Sequence, residues 1–223
     1  HRAYDDGGHG EMVNDREQLR EWFAHAARTN QRIVTHAIGG EAIDIVLDEY
    51  ERVVDEYDDG FDPRLRVEHL ELATDEALER MAEHGFVASM QPNFLQWNGA
   101  DGLYENRLGE DVRPENNRYR DVLDAGVDLV FGSDKMPPGP LYGLSFAVES
   151  PYESQRLSVD EALAAYTRDA AYAEFWEDEK GTLEPGNLAD AVVLDSDPYE
   201  AEDLNEVAVA LTIADGEVVY DTR

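Results

Sequence analysis

The chain of 223 residues is 42% hydrophobic, which is enough for one substantial core with a small appendage. It carries 18 Lys and Arg against 51 Asp and Glu, and a net charge of -33 repels phosphates, which argues against nucleic acid or a membrane surface as a partner. The absence of cysteine excludes disulfides and thiolate ligands, so any metal must be held by His, Asp or Glu.

The acidic residues are spread through segments with ordinary apolar periodicity. An acidic interaction surface or tail is one interpretation of this charge, but the spread favours a halophilic protein whose self-repulsion is screened within about 3 Å at about 1 M salt. No segment predicts a membrane span or a leader, so we expect a soluble, cytoplasmic protein. Because the first residue is His1, we expect the numbering to begin inside a longer polypeptide.

Helical and strand patterns alternate over the first 134 residues. In chain order, the predicted helices are 15–29, 41–57, 74–84 and 117–125, and the predicted strands that follow them are 33–38, 65–70, 86–90 and 127–134. This alternation predicts an α/β fold with a parallel sheet built from right-handed crossovers. The first strand is short and β-branched, as expected of a strand buried on both faces.

Residues 93–116 are long, polar and rich in glycine, and they predict a loop. Their two aromatic residues, Trp97 and Tyr104, would form either an ordered flap over a substrate pocket or a satellite core. Both interpretations remain open from the sequence.

The C-terminal part changes character. A capping box of Ser158 and Glu161 predicts one helix that extends to about Phe175. From residue 181 the sequence predicts three strands, with Asp215-Gly216 as a hairpin turn between the last two. We therefore expect two domains, 1–180 and 181–223.

Three predicted strands end in a side chain that can bind metal, namely His36, His69 and Asp134. The carboxyl ends of parallel strands form one rim, where active sites of such folds lie. Imidazole and carboxylate are the usual ligands of zinc and other divalent ions. Each residue alone has a structural explanation, as a hydrogen-bonded core histidine or a helix cap. Together they predict a metal site at this rim.

Four segments, in this order, resemble the amidohydrolase superfamily and within it family 3, the YtcJ-like branch: THAIGGEA at 35–42, RVEHLE at 66–71, FGSD at 131–134 and GTLEPGNLADAVVLD at 181–195. The resemblance implies the second half of a metal-dependent (β/α)8 TIM-like barrel, over residues 1–180, and the C-terminal strands of a small composite β-sandwich, over 181–223. It implies that His36 and His69 follow the fifth and sixth barrel strands as metal ligands. It further implies that Asp134 follows the eighth strand as a ligand and catalytic proton carrier.

The chain departs from the family pattern in two respects. It has no His-x-His pair, which in the family follows the first barrel strand, and neither Lys135 nor Lys180 is placed to act as a carboxylated metal bridge. The resemblance therefore implies a C-terminal fragment of a hydrolase of non-peptide C–N bonds, in amides or related compounds. The full-length enzyme would hold one or two divalent ions, with zinc the expected metal. The alternative is a catalytically inactive, amidohydrolase-like binding or regulatory protein.

We expect the substrate to be a small molecule, with Met90, Gln91 and Trp97 as candidate substrate-binding residues. Four strands do not close a barrel of this type, so the open edges predict a homo-oligomer or association with the missing N-terminal half.

Overall fold

The computed structural model describes residues 8, 10–57, 62 and 64–223. Residues 1–7, 9, 58–61 and 63 of the predicted first domain lie outside this described part. The chain forms two compact units: unit 1 is His1–Met90 with Leu95–Leu129, and unit 2 is Gln91–Phe94 with Val130–Arg223. The domain boundary after residue 180 stays a prediction.

The described elements alternate as the sequence predicts through the first four strands. The helices are α1 Arg16–Arg28, α2 Gly40–Glu56, α3 Asp75–His84, α4 Leu103–Arg107, α5 Tyr119–Asp124, α6 Pro140–Val148, α7 Val159–Tyr166 and α8 Arg168–Ala173. The strands are β1 Val34–Ala37, β2 Arg66–His69, β3 Val87–Met90, β4 Asp128–Phe131, β5 Ala191–Leu194, β6 Val209–Ala214 and β7 Glu217–Asp221. No helix of the described residues combines the length and the apolar character that a membrane crossing requires.

Strands β1 to β4 form one sheet in the order β1-β2-β3-β4, with β1 parallel to β2 and β2 parallel to β3. The predicted α/β class with a parallel sheet is confirmed. The prediction that the first strand is buried on both faces is wrong, because Val34 is 48% exposed. Within the described residues β1 stands at the end of the strand order and pairs with β2 alone, so the core covers it incompletely.

Helix ends in unit 1 follow local capping chemistry. The Asp15 carboxylate accepts a hydrogen bond from the backbone N–H of Gln18 at 2.8 Å, which caps α1. Thr74 caps α3 through the N–H of Ala77 at 3.1 Å. Gly85 ends α3 with φ 67°, the left-handed conformation that glycine adopts without steric cost. The caps at Asp15 and Thr74 coincide with the predicted first residues of these two helices, and Gly85 directly follows the predicted end at residue 84.

Helices α1 and α2 are joined through one buried carboxylate. Glu49 of α2 is 0% exposed and accepts hydrogen bonds from Arg16 Nε at 2.7 Å, Arg20 Nη2 at 2.8 Å and Arg52 Nε at 2.9 Å. The hydrogen bonds from Arg20 and then from Arg16 and Arg52 lower the pKa of Glu49 to about 2, against the opposing effect of burial. The rings of Phe23 and Tyr50 pack nearby with centroids 5.1 Å apart.

The prediction of a loop over residues 93–116 is wrong. The segment contains a 3₁₀ helix at Pro92–Asn98, then α4 and a second short 3₁₀ helix at Arg113–Glu115. Within unit 1 the rings of Trp97 and Tyr104 contact edge to face at 6.4 Å, and Tyr104 is buried. The segment satisfies its backbone groups in short helical turns, a solution that its irregular polar pattern does not reveal.

In unit 2 the helix predicted to reach Phe175 is two helices, α7 and α8, which break at Thr167 with φ -125° and ψ -90°. The Thr167 hydroxyl donates to the carbonyl of Leu163 at 2.7 Å, a side-chain bond that bends helices. The predicted capping box of Ser158 and Glu161 is confirmed. Helix α6 was not predicted, because its nearly continuous apolar sequence lacks amphipathic periodicity.

The C-terminal strands form a three-stranded antiparallel sheet in the order β5-β6-β7. Asp215 and Gly216, with φ 50° and 77°, make the turn between β6 and β7. Positive φ at both central residues is the mark of a type I′ hairpin, so the predicted turn is confirmed.

Candidate metal centre

His36 and His69 lie together in unit 1. They belong to the neighbouring parallel strands β1 and β2, and their ring centroids are 4.3 Å apart at an interplanar angle of 68°. His69 is 7% exposed, whereas His36 is exposed to solvent. Two of the three predicted ligands therefore meet at the carboxyl ends of adjacent strands.

This contact depends on an irregularity at the end of β2. The strand register pairs His36 with Glu68, and paired residues share a face, so regular alternation would direct His69 to the opposite face. The backbone leaves the extended conformation there, with φ 74° at His69 and 52° at Leu70. Such angles in residues other than glycine are strained and occur preferentially at functional sites.

Tyr50 of α2 forms hydrogen bonds to both strands that carry the two imidazoles. Its hydroxyl is hydrogen-bonded to Thr35 Oγ1 at 2.7 Å on β1 and to the carbonyl of Arg66 at 2.9 Å on β2. The side chain is fully buried, and this burial raises the pKa of Tyr50. The hydroxyl thus stays neutral and joins the two strands one residue before His36 on β1 and three residues before His69 on β2.

A second buried polar group, the Glu71 side chain, lies two positions after His69 in the chain. Glu71 is buried, and desolvation raises the pKa of its carboxyl to about 7 although a hydrogen bond with Tyr104 opposes the shift. The backbone N–H of Asn117 donates to the carbonyl of Glu71 at 3.0 Å, and the Asn117 amide lies 3.4 Å from the Tyr104 hydroxyl. The sequence does not predict this network, since its only signal there is one acidic residue between two leucines.

Asp134 belongs to unit 2 and is exposed. It occupies a tight turn in which the N–H of Met136 donates to the carbonyl of Ser133 at 3.0 Å. Both central residues, Asp134 and Lys135, have positive φ, at 44° and 62°. A non-glycine residue in this region costs about 1 to 3 kcal/mol, and it persists only where the surrounding structure imposes it.

The donor set of His36 and His69 fits a divalent metal such as zinc, because neutral imidazole nitrogen is a preferred zinc ligand and these two rings are in contact. Over the described ranges, no group of three or more His, Asp or Glu side chains is gathered closely enough to hold an ion. The role of Asp134 as the third ligand stays a prediction.

A cavity of about 1070 Å³ opens within unit 1 beside β1. Its lining includes His36, Trp22 and Phe23, and residues 34–42 along and after the strand. Met90 and Trp97, which also belong to unit 1, do not line it; Met90 is fully buried and Trp97 is half-buried.

Gln91, at the start of unit 2, is buried as well. The substrate-binding roles of Met90, Gln91 and Trp97 stay predictions. Apart from His36, the residues that line the cavity were not predicted, since no sequence motif marks Trp22 as part of a concave surface.

Comparison with known proteins gives one family and a consistent set of relatives. A family model described as "Amidohydrolase family" matches residues 1–220. The chain is 30% identical, over 95% of its length, to N-substituted formamide deformylase of Arthrobacter pascens and 28% identical, over 97%, to the putative amidohydrolase YtcJ of Bacillus subtilis. It spans 41% and 42% of these two relatives, and so less than half of their length.

Solved structures agree with the sequence comparisons. An uncharacterized metal-dependent hydrolase from Pyrococcus furiosus superposes with a TM-score of 0.75 at 30% identity, covering 89% of this chain and 41% of that one. Together with the parallel sheet, this similarity confirms the predicted fold, a part of a TIM-like barrel.

Proposed function

We propose that this chain, which belongs to the amidohydrolase family, forms the C-terminal part of a metal-dependent hydrolase that cleaves non-peptide C–N bonds. The chain spans less than half of its relatives, so the activity is proposed for the longer protein. The proposal depends mainly on the contact between His36 and His69 at the carboxyl ends of adjacent parallel strands, where their ring centroids are 4.3 Å apart.

The proposed chemistry assigns one task to each residue. His36 and His69 would hold a divalent ion, with zinc the expected metal, through their ring nitrogens. Such an ion, when bound, lowers the pKa of a water toward about 7 and polarises the substrate carbonyl. The Asp134 carboxylate would accept the proton of the attacking water and deliver it to the leaving nitrogen.

The relatives support the bond type. One is named as a deformylase of N-substituted formamides, and a relative from Symbiobacterium thermophilum, 35% identical over 58% of this chain, is named as an imidazolonepropionase. We infer that the substrate of this protein is likewise a small nitrogenous carbonyl compound. Trp97, Met90 and Gln91 are proposed to contact it, in a pocket completed by the longer protein.

Within the described part of the chain, strand β1 has an open edge to which another strand could pair. This strand pairs with β2 alone among the described residues, and its Val34 is exposed beside the cavity. An unpaired edge presents backbone donors and acceptors to another strand. We infer that the N-terminal half of the protein, or a second copy of the chain, covers this edge.

We also infer that the protein is cytoplasmic and salt-adapted. The net charge of -33 supports the salt adaptation, and many of the acidic side chains lie on the exposed faces of helices.

The test is a substitution of His69 in the longer polypeptide. His69→Ala should abolish stoichiometric metal, measured by elemental analysis, together with hydrolysis of a panel of N-formyl and N-acyl amines. His84→Ala, which removes a partly exposed histidine of α3 stacked on Phe86, is the control and should leave both intact.

If His69→Ala retained metal and hydrolysis, His69 would have no place in the site. A folded parent protein that holds no metal and hydrolyses none of the panel would favour the alternative, a binding or regulatory protein.

A further inference from the structure

We propose that Asn93 is a positioning residue that holds the turn presenting Asp134. The inference rests on the proposed function only in the chemical task it gives to Asp134. The structural claim, that the Asn93 amide maintains the conformation of residues 133–136, can be tested separately.

The geometry lies wholly within unit 2. Asn93 is fully buried, and its Nδ2 donates to the carbonyl oxygen of Ser133 at 2.8 Å and to that of Met136 at 2.6 Å. These two carbonyls stand on either side of the Asp134–Lys135 pair. One amide group therefore uses both of its hydrogens to fasten the two ends of the turn.

The turn needs such fastening because its central residues are not glycine. Asp134 and Lys135 have φ of 44° and 62°. Aspartate tolerates this region through its short polar side chain, whereas lysine is there against its steric preference. The hydrogen bond from the N–H of Met136 to Ser133 closes the turn at 3.0 Å but is a single bond. The two bonds from Asn93 supply the additional constraint that a strained conformation requires.

The other end of the Asn93 side chain supports a role in donation rather than in packing. Its Oδ1 is buried and accepts no hydrogen bond from the described residues. Buried polar atoms without partners are rare and destabilising, so an apolar residue of similar size would suit a purely packing position better. What an amide offers here is its pair of donors.

The primary measurement is amide hydrogen exchange on the folded chain at high salt. Asn93→Ala should speed exchange of the Met136 N–H by roughly tenfold, the effect expected when one or two hydrogen bonds are lost from a local structure. Adding Lys135→Gly should return the rate to within about twofold of the parent, because glycine adopts positive φ freely. A residue that merely filled space would not be rescued by a glycine elsewhere.

Asn205→Ala is the matched control, since Asn205 also belongs to unit 2 but bonds to Ser145 and Asp203. It should leave Met136 exchange unchanged. If Asn93→Ala does not fold, Asn93→Asp keeps the shape of the side chain and replaces the donor NH2 by an oxygen, and the same acceleration and rescue are expected. Unchanged exchange in the folded variant, or acceleration without rescue by Lys135→Gly, would overturn the inference.

A second readout separates this inference from the proposed function. In the longer polypeptide, Asn93→Ala should lower kcat for amide hydrolysis with KM little changed, and Lys135→Gly should restore kcat. Acceleration and rescue of Met136 exchange in a protein without hydrolytic activity would uphold the positioning role and remove the hydrolase proposal.

Discussion

At the scale of single residues, the Glu49 carboxylate is the clearest electrostatic anchor. Three arginines reach it, two from α1 and one from its own helix, and its side chain is fully buried. The shift of the pKa of Glu49 from 4.5 to about 2 means that the folded state favours the ionised form. Its contribution to stability is present above the unfolded pKa, and it is lost as pH falls from about 4.5 toward 2.

We expect Glu49→Gln to lower the free energy of unfolding by about 2 kcal/mol at neutral pH, less than the full pKa shift implies because Arg16 and Arg20 are half exposed and screened. Urea unfolding at fixed high salt, repeated from pH 7 to pH 3, measures this. The difference between parent and variant should shrink on acidification. Glu56→Gln, at an exposed pair with Arg52, is the control and should change stability by less than about 0.5 kcal/mol. A constant difference across pH would contradict the account.

The sequence marks His36 and His69 as candidate ligands because both stand where an apolar strand ends, the edge of a parallel sheet at which active sites lie. It does not identify Asn93 or Glu71. Their importance depends on buried hydrogen bonds to residues 40 and 33 positions away along the chain, Ser133 and Tyr104, and no local pattern encodes such pairs. The positive φ of His69, which brings its ring to His36, is likewise invisible in a strand pattern.

At the scale of elements, caps and periodicity locate most helices of unit 1, and Gly85 shows why. Its φ of 67° ends α3 in the left-handed region, and a Cβ added there would meet no atom within 4 Å. The glycine is thus required by its backbone conformation and not by lack of space.

We expect Gly85→Ala to destabilise the protein by about 1 kcal/mol, the cost of placing a side chain at positive φ. Thermal unfolding at fixed salt measures the change. Gly99→Ala is matched to it, since Gly99 also has open space around its Cβ position but lacks positive φ, and it should change stability by less than about 0.5 kcal/mol. Equal effects of the two substitutions would show that φ is not the cause.

Elements without such signals are the ones that sequence reasoning misplaces. Helix α6 is almost uniformly apolar, so it offers no contrast between a buried and an exposed face. The break between α7 and α8 comes from one threonine that turns its hydroxyl back onto the helix. The short helices of the segment after β3 are decided by the packing of Tyr104 and its neighbours, which is tertiary information.

At the scale of the whole molecule, we expect the net charge of -33 on 223 residues to dominate the dependence of stability on salt. The Debye length is about 30 Å at about 10 mM salt and about 3 Å at about 1 M, so like charges repel across the molecule only in dilute buffer. Pairs such as Arg80 with Asp48 and Glu51 neutralise only part of the acidic surface.

We therefore expect helical circular dichroism to fall on dialysis into about 10 mM salt and to recover at about 1 M or above. Sucrose at equal osmolality is the control: it favours the folded state by exclusion from the protein surface but adds no screening, so it should restore less of the signal than salt does. A spectrum that does not change between the two salt concentrations would refute salt adaptation.

We infer that His36 and His69 form one half of a metal centre, and a cobalt titration of the chain at high salt measures whether they bind an ion. We expect visible absorption bands of Co²⁺ bound to nitrogen, with affinity lowered at least about tenfold in both His36→Ala and His69→Ala and unchanged in His25→Ala, a substitution on α1. Equal cobalt binding by the parent chain and both site variants, or none by any of them, would contradict it.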